Sequence, residues 1–340
     1  MRLPGCRAKW MARVWPAVLA STVALGLALP AAAQSLANRP IRLVLPYSTG
    51  GPTDLSARLL AEAIGPLLDR QVIVENRPGA SGKIAAEIVA RADPDGHTLM
   101  YGGSTQYVML PLLDKTVNFK PFEDFRMVSI YTKYDIVFMT GAQTGMRSMK
   151  DLLARMRNPA EDTVYASIGQ PELTPTGLAY LVFGKMYEGK ARAVNYPGQA
   201  PGTVDLLAGR VHFATYTLTG ALPHIRSGKL LALAVASPQR LSQLPDVPTV
   251  AEAGFPEFMT ANNWQPWIAV AAPAKTPDAI VNTINRAIVQ ATRTDEFKAR
   301  FAATSLVLQA TGTAAEDQAA WRAEYERLER TLKRFDIRLP

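Results

Sequence analysis

Residues 41–59 combine a strand, a paired-glycine turn and a helix, and this βα unit gives the first strong indication of the fold. The apolar run 41–45 favours a strand, and Pro52 suits the first helical turn, where its missing N–H is not needed. Gly50 and Gly51 permit positive φ and a close approach of a ligand to the backbone. Free N–H groups beside the positive end of a helix predict an anion site, although an ordinary βα turn has the same pattern.

The first 33 residues have the pattern of a secretory signal peptide. Four basic residues precede the mostly apolar stretch 14–29, and the three alanines at 31–33 fit a small-residue cleavage site. The apolar stretch contains Pro16 and is shorter than the roughly 20 residues that a membrane span needs. We therefore expect residues 1–33 to be removed on export to the periplasm.

The composition of the remaining 307 residues (340 − 33) excludes several classes of function. The only cysteine, Cys6, lies in the predicted signal peptide, so the mature chain has no disulfide, thiol nucleophile or zinc–thiolate site. Loss of four basic residues lowers the formal net charge from +8 to +4, and the other basic residues are scattered. We therefore expect no nucleic-acid partner.

Strand-like and helix-like segments alternate from Arg39 onward, which predicts βαβ units and a mostly parallel sheet. The apolar run 128–139 is longer than a typical strand, and we expect it to carry the chain into a second domain. Further strands are predicted over 71–75, 98–101, 163–167, 193–196, 211–215, 230–236 and 264–271. Further helices are predicted over 83–92, 150–157, 176–186, 204–207, 277–290, 295–302 and 314–335.

Glycines follow predicted strands at positions 50–51, 102–103 and 198. Ligands of open α/β sheets bind at the carboxyl ends of strands, so we expect these loops to form a small-molecule site. Trp264 and Trp267 are candidates for its walls, and core packing is the alternative that we favour for Trp267.

Patterns that carry catalysis are missing. The stretch 77–84 lacks the first glycine and the hydroxyl of a P-loop, and 102–106 lacks the closing glycine of a nucleophile elbow. His97, His212 and His224 stand singly, without metal-ligand spacing. We expect His97 to be a solvated turn residue and His212 to be the histidine placed to face a cleft. We expect no enzyme, and therefore no catalytic residue, metal or cofactor.

Specific motifs are distributed along almost the whole chain. They are PIRLVLPYSTGGPTD at 40–54, VENRPGA at 74–80, ADPDGHTL at 92–99, DLLAGRV at 205–211, LAVAS at 233–237, LPDVPTVAEAG at 244–254 and APAKTP at 272–277. In this order they resemble the periplasmic solute-binding proteins of tripartite tricarboxylate transporters, the Bug family. The resemblance implies a two-lobed type II periplasmic-binding-protein (Venus flytrap) α/β fold, with mostly parallel sheets and helices on both faces. Lobe 1 would comprise 34–137 and 264–340, and lobe 2 would comprise 138–263.

The resemblance also implies where a ligand is held. Its carboxylate would meet backbone amides, hydroxyls and bridging water in the cleft, without an arginine. The implied contacts of the first lobe are Tyr47, Ser48, Gly50, Gly51, Thr53, Asp54, Gly103, Ser104 and Thr105. Those of the second lobe are Ser167, Thr174, Thr176, Gly198, Gln199, Ala200, Pro201 and Tyr216. We expect Asp54 to cap the helix or hold a water, because a carboxylate repels an anion. The alternative for Ser48, Ser104 and Ser167 is that their hydroxyls bond only to nearby backbone.

The chain departs from the family where specificity is usually set. QYVMLP at 106–111 replaces a loop rich in hydroxyls, SIGQPELTPTG at 167–177 replaces a glycine–serine run that ends in histidine, and Tyr216 takes an acidic position. A cleft that loses an acid and gains tyrosines should favour aromatic or plain carboxylates over ligands with an amino group.

Two classes of function remain open. The first is a monomeric periplasmic protein that captures a small organic acid, closes its lobes around it and delivers it to integral-membrane transporter subunits. The alternative is a periplasmic adaptor that presents its ligand to a membrane sensor kinase. A secreted hydrolase is a third interpretation, which the missing nucleophile and metal patterns disfavour.

Overall fold

The computed structural model describes residues 36–261, 265–304, 306–310 and 312–339, so the predicted signal peptide at 1–33 lies outside the described residues. In this part of the chain the strands form a six-stranded and a five-stranded sheet. The strands are β1 (Ile41–Leu45), β2 (Val72–Asn76), β3 (Thr98–Gly103), β4 (Phe125–Lys133), β5 (Ile136–Gly141), β6 (Val164–Ile168), β7 (Arg192–Tyr196), β8 (Phe213–Thr217), β9 (Leu230–Val235), β10 (Trp267–Pro273) and β11 (Val307–Leu308). The α-helices are α1 (Pro52–Leu68), α2 (Lys83–Ala90), α3 (Leu110–Leu113), α4 (Pro121–Asp124), α5 (Met149–Arg157), α6 (Pro175–Tyr187), α7 (Gln199–Leu207), α8 (Leu218–Arg226), α9 (Pro256–Ala261), α10 (Asp278–Arg293), α11 (Asp295–Phe301) and α12 (Ala314–Arg334).

Each sheet is mixed. The first has the order β11-β4-β10-β3-β1-β2, with β1 parallel to β2 and β3, and β10 antiparallel to β3 and β4. The second has the order β7-β6-β8-β5-β9, with β6 parallel to β7 and β8, and β5 antiparallel to β8 and β9. The sheets are thus less parallel than the sequence predicts. The reason is that β5 and β10 enter from the other sheet, at the edge where β3 and β8 end, and therefore run in the opposite direction.

The chain passes from the first sheet to the second at Tyr134 and Asp135, between β4 and β5. The sequence predicts one uninterrupted run over 128–139, but these two residues leave the ladder. The Tyr134 N–H donates to the Pro266 carbonyl at 3.0 Å, and the Gln265 Nε2 donates to the Asp135 Oδ1 at 2.7 Å. The outgoing and returning segments are therefore joined to each other.

Helices cover both faces of each sheet, as the sequence predicts. In the first sheet, Leu43 and Leu45 pack toward α1 and α10, whereas Val44 belongs to the cluster that contains Trp321 of α12. In the second sheet, Val137 packs with residues of α7 and α8, whereas Phe138 packs with those of α5, α6 and α9. No helix in the described segments is apolar over a length sufficient to cross a bilayer.

Two helical segments near the cleft differ from the sequence prediction. Residues 105–113 are helical, with a π-helical turn over Thr105–Met109 that leads into α3. Helix α8 is absent from the prediction because Gly220 and Pro223 are poor helix formers. Tertiary packing of its apolar face against the second sheet outweighs that propensity.

Candidate functional site

A cleft of about 750 Å³ lies where the carboxyl ends of β1, β3, β6, β7 and β8 meet. Its volume is in the range of pockets that enclose small organic ligands. From the first sheet's side it is lined by Tyr47, Gly51, Pro52, Thr53, Thr105, Tyr134, Ile268 and Leu306. From the second sheet's side it is lined by Ile168, Thr174, Pro175, Thr176, Gly198, Gln199, Ala200, Pro201, Thr203, Val204, Leu207, Thr217, Gly220 and His224.

Several helices begin at the wall of this cleft. The residues that precede α1, α6, α7 and α8 are Gly51, Thr174, Gly198 and Thr217, and all four line the cavity. The first N–H groups of a helix have no intrahelical acceptor and carry the positive end of its dipole. The cleft therefore has a positive potential from backbone groups of both sheets.

Among the described residues that line the cleft there is no Asp, Glu, Lys or Arg. Their polar side chains are threonine and tyrosine hydroxyls, the amide of Gln199 and the imidazole of His224. An anion in the cleft would thus be neutralised by dipoles and hydrogen bonds, which can pair a single buried charge without a counter-ion.

Asp54 shapes the turn on the first side of the cleft. Its Oδ2 accepts the Gly50 N–H at 3.0 Å, Arg58 donates to both carboxylate oxygens at 3.0 Å, and the Asn76 Nδ2 donates to Oδ1 at 2.9 Å. Asn76 also donates to the Tyr47 carbonyl at 2.9 Å. Burial alone would raise the pKa of Asp54, but the hydrogen bonds from Arg58, Gly50 and Asn76 hold it below its usual value. The carboxylate is thus paired inside the wall and faces away from the cavity.

Gln199 and Thr217 fix the second side. The Gln199 Nε2 donates to the Thr217 carbonyl at 3.0 Å, and the Thr217 Oγ1 donates to the Gln199 Oε1 at 2.8 Å. This reciprocal pair holds the first residue of α7 against the residue that precedes α8. The Thr215 Oγ1 donates to the Thr176 carbonyl at 2.7 Å and holds α6 in the same way. Three helix N-termini are therefore positioned before any ligand arrives.

Two tyrosines of the wall are neutral hydrogen-bonding groups. Burial raises the pKa of Tyr47 to about 12, and its hydroxyl donates to the Gln106 Oε1 at 3.2 Å. Gln106 is held in turn by the Gly103 N–H, which donates to Oε1 at 2.9 Å. Burial also raises the pKa of Tyr134 well above its usual value. Neither phenol adds negative charge to the cleft at physiological pH.

The structure brings ten of the seventeen ligand residues implied by the sequence to the cavity wall. They are Tyr47, Gly51, Thr53, Thr105, Thr174, Thr176, Gly198, Gln199, Ala200 and Pro201. Seven lie off the wall, namely Ser48, Gly50, Asp54, Gly103, Ser104, Ser167 and Tyr216. The N–H groups of Gly50 and Gly103 are already bound, by Asp54 and Gln106.

The remaining departures also have local causes. Ser48 is exposed outside the cavity. The Ser104 Oγ accepts the Trp267 N–H at 3.3 Å, and the Ser167 Oγ donates to the Gly169 carbonyl at 3.0 Å, so both hydroxyls serve nearby backbone. Tyr216 is fully buried under α7, so close to Gly202 that an added Cβ there would lie 1.9 Å from the Tyr216 hydroxyl.

The histidines and tryptophans are arranged differently from the sequence prediction. His212 does not face the cleft, because its Nδ1 accepts the Val164 N–H at 2.9 Å. His224, on α8, lines the cavity instead. His97 is buried rather than solvated, with its Nδ1 3.2 Å from the Pro40 carbonyl. Trp267 is buried and stacked on Tyr107, which confirms core packing, and Trp264 lies outside the described residues.

Several wall residues escape sequence reasoning, namely Pro52, Tyr134, Ile168, Pro175, Thr203, Val204, Leu207, Thr217, Gly220, Ile268 and Leu306. Thr203, Val204 and Leu207 could have been found from their helical spacing after Gly198, since they share a face of α7. In the part of the chain that the structure describes, no three His, Cys, Asp or Glu residues form a group that could hold a metal ion.

Comparison with known proteins shows that this chain has relatives over most of its length. The model of the tripartite tricarboxylate transporter family receptor matches residues 56–324. A UPF0065 protein of Bordetella bronchiseptica is 34% identical over 289 residues, which cover 84% of this chain and 82% of that protein. Protein BugT of Bordetella pertussis is 34% identical over 281 residues, which cover 82% of this chain and 84% of that protein.

Several solved structures resemble this chain in fold. The periplasmic binding protein BugD superposes with a TM-score of 0.77 at 26% identity, covering 89% of this chain and 99% of that one. A Rhodopseudomonas palustris protein with adipate has a TM-score of 0.78 at 28% identity, covering 88% and 98%. MatC of the same organism, with bound malate, has a TM-score of 0.76 at 26% identity, covering 86% and 99%. These likenesses confirm the two-lobed α/β fold class that the sequence predicts.

Proposed function

The chain belongs to the tripartite tricarboxylate transporter receptor family, which includes the Bug proteins, and on that premise we propose that it captures a small organic acid in the cleft and delivers it to integral-membrane transporter subunits. The family consists of solute-binding receptors and not of enzymes, so the protein binds its solute without converting it. We also propose that residues 1–33 direct its export and that the mature protein works in the periplasm as a monomer.

One observation carries the choice of an organic acid. The starts of α1, α6, α7 and α8 line a cavity whose wall has no charged side chain among the described residues. Each helix start is equivalent to about half a positive charge, and together they favour one buried anionic group. An ammonium group would meet the same dipoles with the wrong sign and would find no carboxylate among these wall residues.

Two neighbours in fold support this class of ligand. MatC was solved with malate and the other R. palustris protein with adipate, so clefts of this architecture hold carboxylates in those proteins. For this chain we place the carboxylate between the Gly51–Thr53 turn of α1 and the starts of α6 and α7, at Thr174, Thr176 and Gly198. The joined segments at Tyr134–Asp135 and Gln265–Pro266 would then be the hinge about which the two lobes, one built on each sheet, close on the ligand.

A thermal-shift screen of residues 34–340 tests the proposal. The panel contains mono-, di- and tricarboxylates, aromatic acids and amino acids. A ligand that binds only the folded protein raises the Tm with its concentration. We expect a dose-dependent rise with one class of carboxylate and none with the amino acids. No rise with any carboxylate at millimolar concentration would contradict the proposed function.

The variant Ala200→Asp separates anion binding from folding. Ala200 is the exposed second residue of α7 on the cavity wall, and an acidic residue there suits the helix dipole. We therefore expect an unchanged or slightly raised Tm without ligand, and a loss of carboxylate binding through charge repulsion. Ala279→Asp is the matched control, because Ala279 is the exposed second residue of α10, outside the cleft. It should bind like the wild type.

A further inference from the structure

We propose that the ligand is an elongated acid with one carboxylate, an apolar body and an uncharged polar group at its far end, and that His224 recognises that far group. This inference rests on the proposed function, since it assumes that the carboxylate lies at the helix starts. It adds a second point of recognition and a length to the site.

The cleft extends along the side of α7. Residues from Gly198 to Leu207 line it, a separation of about 13 Å at the usual rise of an α-helix. The wall changes character over this distance. Gln199 and Thr203 give polar groups near the start, whereas Val204 and Leu207 give an apolar surface farther along, and Val204 is 59% exposed. A ligand that uses the full wall must have an apolar body behind its carboxylate.

Helix α8 gives the second side of the same channel. Thr217, Gly220 and His224 all line the cavity, at the three- and four-residue spacing of one helix face. His224 therefore lies about 10 Å along the helix axis from Thr217. Helices α7 and α8 leave the same sheet edge in the same direction, because β7 and β8 are both parallel to β6. Thus Leu207 and His224 are both far from the paired Gln199 and Thr217, which lie beside the helix starts at which we place the carboxylate.

His224 is suited to a neutral polar group. It is half-buried, and no hydrogen bond to its ring nitrogens occurs within the described residues. It lies in the last turn of α8, where the negative end of the helix dipole disfavours a second carboxylate. In the described part of the cavity wall no lysine or arginine compensates such a charge. A hydroxyl or amide, by contrast, can bond to the imidazole without a counter-charge.

Three acids of matched chain length and different far ends test the inference. Heptanoate ends in a methyl group, 6-hydroxyhexanoate in a hydroxyl and adipate in a second carboxylate. Their affinities are measured by isothermal titration calorimetry at one pH and ionic strength. We expect 6-hydroxyhexanoate to bind roughly three- to tenfold more tightly than heptanoate, the gain of one hydrogen bond, and adipate to bind most weakly.

Substitution of His224 tests whether this side chain causes the preference for 6-hydroxyhexanoate over heptanoate. His224→Ala should lower the affinity for 6-hydroxyhexanoate to that of heptanoate and leave heptanoate unchanged, and His224→Gln should keep part of the preference. Arg226→Ala is the control, because Arg226 is an exposed residue of the same helical turn that does not line the cleft. It should retain the wild-type order of affinities.

Each contrary result has a distinct meaning. Equal affinities for heptanoate and 6-hydroxyhexanoate, tightest binding of adipate, or no effect of His224→Ala would overturn the inference and leave the proposed function intact. If none of the three binds while another carboxylate of the thermal screen does, the elongated ligand class is wrong. If no carboxylate in that screen binds, the proposed function itself fails.

Discussion

The indole N–H of Trp267 donates to the Oε2 of Glu324, whose Oε1 is buried without a hydrogen-bond partner in the part of the chain described. Burial raises the pKa of Glu324 to about 7, although the bond from Trp267 and the charge of Arg327 act against this rise. Trp267 is the first residue of β10, directly after the returning segment at Pro266. An enclosed carboxyl therefore lies beside the proposed hinge.

This carboxyl should make stability depend on pH. The pKa of Glu324 is higher in the folded state than the ordinary value of about 4.3, so its contribution to stability is present below that value and is lost as pH rises through about 7. We expect Glu324→Gln to remove the loss and to be more stable than the wild type at pH 8, by up to about 3 kcal/mol. Urea unfolding at pH 5 and pH 8 measures this. Glu326→Gln, at an exposed position of α12, should follow the wild type at both pH values, and parallel curves for Glu324→Gln would refute the prediction.

Asp54 should have the opposite dependence. Its folded pKa is depressed, so its contribution is present above the unfolded value and is lost as pH falls toward strongly acidic conditions. Asp54→Asn removes the negative charge and one of the two oxygens that accept from Gly50, Arg58 and Asn76. We expect it to lower the free energy of unfolding by about 1–3 kcal/mol at pH 7 and to weaken ligand binding. Chemical denaturation and calorimetry measure the two effects. Asp69→Asn, at the exposed end of the same helix, is the control and should change neither. A stable Asp54→Asn protein with wild-type affinity would contradict the role of the turn.

A variant of Tyr216 tests whether this residue, which takes an acidic position of the family, contacts the ligand. Its buried hydroxyl has no hydrogen-bond partner among the described residues, so Tyr216→Phe should be neutral or stabilising by about 1 kcal/mol and should leave ligand affinity unchanged. Tyr165→Phe is the informative contrast, because the Tyr165 hydroxyl is bonded to the Thr215 Oγ1 at 2.6 Å and its loss should destabilise the fold. Thermal unfolding with and without ligand measures both. A large loss of affinity in Tyr216→Phe would place this residue in the site after all.

Some helix starts at the cleft wall can be predicted from the sequence, because a few neighbouring residues determine them. The Gly51–Pro52 step and Pro175 mark helix starts whose geometry depends on a few neighbouring residues. Since parallel strands end at one edge, the prediction that such loops meet in a cleft follows from topology. The starts of α1 and α6 are therefore accessible from sequence.

Other parts depend on contacts that the sequence does not encode locally. His224 was hidden because the glycine and proline of α8 conceal the helix that carries it. The sequence leaves two roles open for Ser104 and Ser167, ligand binding and local backbone bonding. Their hydroxyls bond to the backbone of Trp267 and Gly169, a choice that tertiary packing makes. Strand β5 runs antiparallel to β8 because the chain enters the second sheet from the first. The hydrophobic periodicity of the sequence does not reveal this direction.

The joined segments at Tyr134–Asp135 and Gln265–Pro266 have a consequence for how the protein can distinguish ligands of different length. Two hydrogen bonds tie these segments to each other. In the proposed closure we expect the lobes to bend about them without turning independently. Closure then has a single coordinate, the angle between the lobes. A solute that is too long stops this motion early, and one that is too short leaves the far wall uncontacted. We expect the hinge to convert molecular length into an angle that a membrane partner can recognise.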